Sequence, residues 1–442
     1  MMRYLAAVAI ASFILMPGIR AQDPQPENQP GTTEEADDPE TESPQPSASG
    51  KWKRFRDAAR GLVTWNLFGG RLTLRGYMRL QFDATMARFD DVLASTLGDD
   101  QVRSIDVRRL SFHIRGTIDN HLAYVAGFEF GPDYGPTATY LEGIEGGLKV
   151  FGYRIGDFRV GFFQEPFSLA RVTSSFDSAF LERSLPTWTF GPGNNLGYMV
   201  YNRGFKQRLT WQFGFFSVGV RNDANASNST LSVTTRVTGR PLYRDGGRKM
   251  VHLGLAYSTR TPRGSEAQYR SRPEARFVDF LVDTGRFDSS RIQLLGLEAA
   301  AVRGPLSIQA EAIASRVTSS ATGDPVFWGS AVEVSYFLTG ETRPYEVSSG
   351  RFGRLFPKSN YRKGLPLKRS NGGAFEVVGR YSKVDLEDGG VQGGKLRDLS
   401  LGFNWYIDAS SRVMFNVVRA DAGDRGDASI FLLRYQYQPR AD

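Results

Sequence analysis

Cysteine is absent from this chain, which excludes a disulfide framework, a thiolate metal site and a thiol nucleophile. Histidine is scarce: His113, His121 and His252 are the three, and none stands in a hydrolase-type motif. No metal-ligand spacing and no cofactor motif is legible. Glycine runs such as Gly143-Ile-Glu-Gly-Gly147 precede no helix and read as strand or turn glycines, not phosphate loops. Long apolar runs are missing too. After Leu5 to Met16, no stretch approaches the ~18 uninterrupted apolar residues of a spanning helix. Residues 22–50 contain no Lys or Arg at all.

What is present fits around these gaps. Arg3, the short apolar run and the small residue Ala21 have the form of an export signal over residues 1–21. Residues 22–50 carry eight acids among Pro, Ser and Thr. That composition offers too little apolar surface to fold and predicts an acidic, Pro-rich disordered tether. Residues 51–70 are expected to be a periplasmic lead-in, and residues 71–442 the folded domain. The chain is formally +8 overall, and residues 51–442 alone are near +14. A basic body asks for an anionic partner, among nucleic acid, lipid headgroups and small anions. Export argues against nucleic acid.

From Leu72 onward the sequence alternates with period two. Leu72, Leu74, Met78, Leu80 and Phe82 share one face; Thr73, Arg75, Tyr77, Arg79 and Gln81 share the other. The same split recurs around Leu110 to Arg115, Arg208 to Phe215 and Phe431 to Tyr437. Such alternation is that of half-buried strands. A soluble sandwich would alternate as well. Arg- and Gln-rich polar faces, with 31 Phe, 18 Tyr, 6 Trp and 48 Gly, favour instead a barrel with a wet lumen and aromatic girdles. The fold class expected is all-β, a transmembrane antiparallel β-barrel of sixteen strands. They begin near Leu72, Ser104, His121, Ala138, Ile155, Leu196, Gln207, Leu231, Met250, Arg291, Leu306, Val326, Ala374, Arg397, Arg412 and Ala428. Short connections then fall mostly at one end, and long ones (84–103, 165–195, 260–290) at the other. The segment 338–373 breaks this parity, being long where turns are short.

Three segments resemble the phosphate-selective porin family. The first is Gly161-Phe-Phe-Gln-Glu-Pro-Phe-Ser-Leu169 with Thr173-Ser-Ser175 and Phe180-Leu-Glu-Arg-Ser184. The second is Ser335-Tyr-Phe-Leu-Thr-Gly-Glu341 with Gly350-Arg-Phe352 and Pro357; the third is Glu376 to Ser382 with Gly402-Phe-Asn-Trp-Tyr406. The resemblance implies an outer-membrane homotrimer surrounded by lipid, with one pore per subunit and a third outer loop, here 165–195, folded inward. It implies passive diffusion of small anions, phosphate or polyphosphate above all, and no catalysis. It also implies that 338–373 bends into the pore, which accounts for its length.

Arg108 and Arg109 match the family's paired arginines. By alternation Arg109 faces the lumen, and Arg108 does so only if the strand bulges there. Pattern adds Arg75, Arg79, Arg115, Arg208, Arg236 and Arg380; the inward loop adds Arg171 and Arg183. The basic turn adds Arg351, Arg354 and Lys358, with Arg362, Lys363, Lys368 and Arg369 beyond. Guanidinium forks replace the water an oxyanion loses on entering a narrow pore. The bland alternative is that such arginines pair with wall carboxylates, for example Glu129, Glu311, Glu333 and Glu376, and only brace the barrel. The inward loop also holds Glu165, Asp177 and Glu182, so it is not cationic overall, and the final residue is not aromatic as is common in such barrels. A general anion or small-solute pore, a non-conducting structural barrel and an outer-membrane enzyme remain as alternative readings. Deleting residues 22–50 behind an intact signal is expected to leave the heat-modifiable barrel band on gels unchanged; its loss would show that the acidic segment is part of the fold.

Overall fold

The structure, a computed structural model, describes residues 63–131, 135–143, 148–150, 153–217, 229–361 and 372–439. The expected signal, the tether and most of the lead-in lie outside the described residues, as do Arg362, Lys363, Lys368 and Arg369. The end of the lead-in is a short strand, Val63–Leu67, antiparallel to Leu72–Gly76.

Among the described residues sixteen antiparallel strands form one closed sheet. The first arc is β1 Leu72–Phe89, β2 Gln101–Ile118, β3 Leu122–Glu129, β4 Thr139–Gly143, β5 Tyr153–Gln164 and β6 Asn194–Gly204. Next come β7 Leu209–Ser217, β8 Ser229–Arg244, β9 Lys249–Pro262, β10 Arg291–Arg303 and β11 Leu306–Thr318. The circuit ends with β12 Val326–Phe337, β13 Ala374–Asp388, β14 Val391–Tyr406, β15 Ser411–Asp421 and β16 Asp427–Tyr437. Each strand pairs with its successor, and β16 pairs with β1 from Leu80↔Tyr437 to Phe89↔Ala428, which removes every edge.

Two boundaries differ from the sequence reading. The expected connection 84–103 is strand at both ends, over 84–89 and 101–103: β1 and β2 are 18 residues each, joined by a helix, Asp91–Leu97, that Asp90 caps. β14 starts at Val391 rather than near Arg397, because Gly393-Gly394 does not turn the chain; Gly394 sits inside the strand at φ 93°. The parity of connections holds, and 338–373 lies at the turn end.

Alternation sorts the two faces as the lipid environment requires. Phe82, Phe213, Phe215, Leu253, Leu297 and Leu401 stand exposed on the outside, while Gln81, Thr210, Thr234, Ser400 and Gln436 are buried inside. The interior is filled by infolded chain. The third long connection, 165–193, crosses the lumen and carries two short helices, Leu169–Val172 and Leu185–Phe190. The connection 263–290, expected outside, folds in as well. Its Tyr269, Val278, Leu281 and Val282 form one buried cluster with Phe167, Leu185 and Phe190 of the first loop and with inner-face Ile430 and Leu432 of β16. Burying each such side chain contributes roughly 1.5–3 kcal/mol, so these residues hold the loop against the wall.

Polar anchors fix the same loop. Glu165 accepts from Arg260 at 2.5 Å and from Thr234 at 2.5 Å. Glu311 on β11 accepts from the Ala170 amide at 2.6 Å and from the Ser168 hydroxyl. Glu182 pairs with Arg108 at 2.7 Å and Arg434 at 3.0 Å, and its backbone carbonyl accepts from Arg380 at 3.1 Å. Although burial works the other way, Arg108 and Arg434 hold the Glu182 carboxyl well below the usual carboxylate range. A group with a depressed folded-state pKa contributes stability above its unfolded value, which is lost only as pH falls through the folded value. Acidification from pH 7 to 5 is therefore expected to leave residues 165–193 protected from protease. Glu182→Gln leaves a buried arginine facing a neutral amide, a loss on the order of 3 kcal/mol. It should expose the loop to cleavage while the barrel stays heat-modifiable; a fully protected loop in that variant would remove Glu182 as the anchor.

Candidate functional site: an arginine-lined lumen

The infolded loop leans chiefly on β8, β9, β11 and β13–β16, touching the first strands at Arg108 and Arg79, and open space survives along β1–β5. There a void of about 1010 Å³ runs from residues of the 263–290 loop to residues of the 338–373 turn. Since those segments enter from opposite ends of the barrel, the void spans its length. Among the described residues ten arginines line it: Arg79, Arg109 and Arg115 from the wall, Arg171 and Arg183 from the inward loop, Arg270, Arg272 and Arg276 from the second loop, and Arg351 and Arg354 from the turn. The carboxylates lining it are Glu129, Asp177 and Glu346.

The paired arginines sit where the β1–β2 register slips, between Gln81↔Arg109 and Phe82↔Val107. Arg108 is the extra residue of this bulge, so both side chains turn inward. Their roles diverge. Arg108 is fully buried on Glu182, whereas Arg109 donates to Gln81 at 2.7 Å and borders the void. Register orders the wall arginines: Arg109 stands nearest the loop end, then Arg79, then Arg115.

Several arginines of the void rest on neutral groups. Arg79 donates to His113 at 3.1 Å and lies over the Phe176 ring at 4.6 Å. Arg115 lies over Tyr77 at 5.5 Å, and Arg270 and Arg272 over Phe280 at 4.2 and 4.0 Å. Arg171 donates to the Pro192 carbonyl at 2.8 Å, and Arg183 to the carbonyls of Ala170, Arg171 and Thr173. Arg354 donates to the carbonyls of Pro439, Ala409 and Gln438. Carbonyl and ring partners orient a guanidinium without neutralising it. Crowding of like charges has a signature: burial and the nearby Arg276 pull Arg272 down to about 10, although Asp279 and Glu182 work the other way. Burial, with Arg171 and Arg109 close by, likewise works against the charge of Arg183. Burial lifts the Asp177 carboxyl above the ordinary value, while Arg412, Arg351 and Arg354 favour its charged form.

Five sequence candidates are placed elsewhere. Arg236 is buried on Glu298 at 2.7 Å and donates to the Gly350 carbonyl at 2.8 Å, holding the inward turn. Arg380 is spent on Glu274 and Glu333, which ties down the second loop. Arg75 is half-buried opposite Arg115, away from the void's lining. Lys358 is exposed, its ammonium donating to the Gly340 carbonyl at 2.5 Å. Arg208 is exposed in the turn between β6 and β7. Within the turn Arg351 pairs with Glu346 at 2.7 Å, so it is partly neutralised. Of the four bracing carboxylates, Glu333 meets an arginine, while Glu129 accepts the amides of Leu110 and Gly131, Glu311 holds the loop, and Glu376 accepts from Ser335, Asn404 and Tyr406. Arg270, Arg272 and Arg276 were missed. Their signal was available in the apolar neighbours Tyr269, Val278, Leu281 and Val282, which a solvated loop would not carry.

Known proteins share this chain's sequence at two levels. An uncharacterized protein of Caulobacter vibrioides is 32% identical over 240 residues, 52% of this chain and about half (46%) of that protein's length. Porin O of Pseudomonas aeruginosa is 23% identical over 410 residues, 81% of this chain and 87% of its own. Among solved structures, an anion-selective porin from Comamonas acidovorans superposes with a TM-score of 0.48 at 12% identity, covering 82% of this chain and 99% of that one. The sequence model of the family called phosphate-selective porin O and P matches residues 77–438, nearly the whole barrel with its arginine-lined lumen, and the chain belongs to that family.

Proposed function

We propose that this protein is an outer-membrane pore for passive diffusion of small oxyanions, phosphate or polyphosphate foremost. The observation that carries this reading is the void itself: among the described residues it is lined by ten arginines against three carboxylates, and it reaches residues at both ends of the barrel. Anions are drawn in by the summed field and cations repelled. Inside, forked N–H donors take over from lost water. Successive rungs, from Arg270, Arg272 and Arg276 through Arg183, Arg171 and Arg109 to Arg79, Arg115 and Arg354, offer many shallow sites, so an ion is passed along rather than trapped. Arg351 contributes less, being paired with Glu346. Export through residues 1–21 and assembly as a trimer belong to the same reading, and so does the absence of catalysis.

Planar-bilayer recording under a KCl gradient is expected to give a reversal potential favouring chloride; a potential favouring potassium would overturn the reading. Phosphate is expected to block the chloride current. Replacing Arg109, Arg171 and Arg183 together by Gln should weaken that block by about tenfold, a change of about 1.4 kcal/mol. The Arg351→Gln substitution should change it by less than the triple. Block unaffected by the triple substitution would leave a general anion pore without phosphate preference.

A further inference from the structure

Beside the turn end of the lumen, toward β13–β16, lies a small side cavity of about 30 Å³. Arg343 and Arg354 reach it from the inward turn and Arg412 from β15, and its carboxylates are Asp177, Glu376 and Asp408. Arg343 is only 8% exposed. Its guanidinium rests on the Phe352 ring at 3.9 Å, and among the described residues it donates no hydrogen bond and joins no ion pair. Arg412 is buried as well. It donates to the carbonyls of Ser178 at 2.9 Å and Phe176 at 3.3 Å, and to Tyr406 and Gln436 at 3.1 Å each. All four are neutral, and among the described residues its buried Nε has no hydrogen-bond partner.

The nearby acids do not answer these two charges. Glu376 accepts from Ser335, Asn404 and Tyr406, and Asp408 from the amides of Ser410 and Ser411 at 2.6 and 2.8 Å. In the turn itself Glu341 accepts from Thr339 and from the Lys358 amide, and Glu346 pairs with Arg351. Asp177 accepts no hydrogen bond among the described residues, and burial lifts its carboxyl above the ordinary value although Arg412, Arg351 and Arg354 favour its charge. A buried cation left without a counter-charge is strongly destabilising. A guanidinium with five N–H donors, turned into a cavity, calls for an acceptor there.

We propose that this cavity holds one resident inorganic anion of the size of chloride, between the Arg343 guanidinium of the turn and the Arg412 Nε–H of β15. Size selects the class. One water takes up roughly 10–15 Å³ of such space, so about 30 Å³ admits a bare halide and excludes an organic acid. Position separates this ion from the conducted ones, because neither Arg343 nor Arg412 is among the described residues lining the void. On one side the turn is already pinned to β8 and β9, by Arg236 on the Gly350 carbonyl and by His252 with Tyr345. The anion ties its other side to β15, next to the bonds of Arg354 to Ala409 and Gln438. The site requires only that the turn folds inward, so it stands apart from which solute the pore passes.

The test is chymotrypsin cleavage of detergent-purified full-length protein at Tyr345, Phe352 and Phe356. It is run in potassium chloride, potassium phosphate or potassium gluconate at equal ionic strength. Cleavage passes through local opening, and a ligand that binds only the closed form slows it by mass action. Chloride at about ten times its Kd is therefore expected to slow cutting about tenfold relative to gluconate, which is too large for the cavity. Arg343→Gln should be cut at the gluconate rate in both salts and keep the heat-modifiable barrel, since Arg343 donates no hydrogen bond among the described residues. Arg343→Lys, which keeps the charge, should recover part of the protection. Crystals grown in bromide should show anomalous scattering beside the Arg343 guanidinium. Equal rates in chloride and gluconate, protection that survives in Arg343→Gln, or protection by phosphate alone overturns the proposal.

Discussion

Glu182 sits where the inward loop meets the wall, with Arg108 on one side, Arg434 on the other and Arg380 reaching its carbonyl. Removing charged groups from water is costly unless each finds its counter-charge. The three arginines come from strands far apart in sequence, so one loop carboxylate and its backbone bind β2, β13 and β16 to the same point. Arg434 in turn grips Asp83 across the seam that closes the barrel. The position of the loop, and with it the position of the pore, follows from satisfying these charges. Arg260 with Glu165 and Arg236 with Glu298 repeat the logic on β8 to β10.

The lumen therefore divides into two kinds of arginine. Those on the loop-bearing side meet carboxylates and act as struts. Of those bordering the void, Arg79, Arg109, Arg115, Arg171, Arg183, Arg270, Arg272 and Arg354 have carbonyls, an amide, an imidazole or rings among their partners. An ion-paired arginine would have to give up its carboxylate before greeting an anion, so a strut makes a poor rung. A carbonyl-tethered one is oriented in advance and loses little on contact. The eccentric placement of the loop is what separates the two populations.

Much of this was legible in sequence. Strict alternation showed the sixteen strands because each has one lipid face and one polar face, and fifteen starts fall within a few residues of those seen. It failed where the inner face is covered. Ile430 to Leu433 is apolar on both sides, since the infolded 263–290 loop packs inside β16. Alternation placed Arg109 inward and made Arg108 conditional on a bulge; the bulge that admits both is a register property of two strands. Partner identity was the least legible. Arg236 and Arg380 alternate inward like Arg79 and Arg115, and only the tertiary arrival of Glu298 or Glu274 separates strut from lining.

The choice of arginine over lysine in the void follows from the same constraint. Among the described residues lining it there is no lysine. A lysine ammonium is strongly hydrated and holds its place poorly on a flexible stem, whereas a guanidinium can lie flat on a ring or hang from a carbonyl and still present donors. Phe280 under Arg270 and Arg272, and Phe176 under Arg79, are such rests. Phe176 belongs to the loop, whose carbonyl at that residue accepts from Arg412 and Gln436 of the adjoining strands β15 and β16. One loop residue thus joins the braced half of the lumen to the open half, so a change in the docking of the loop also changes how Arg79 is held in the pore.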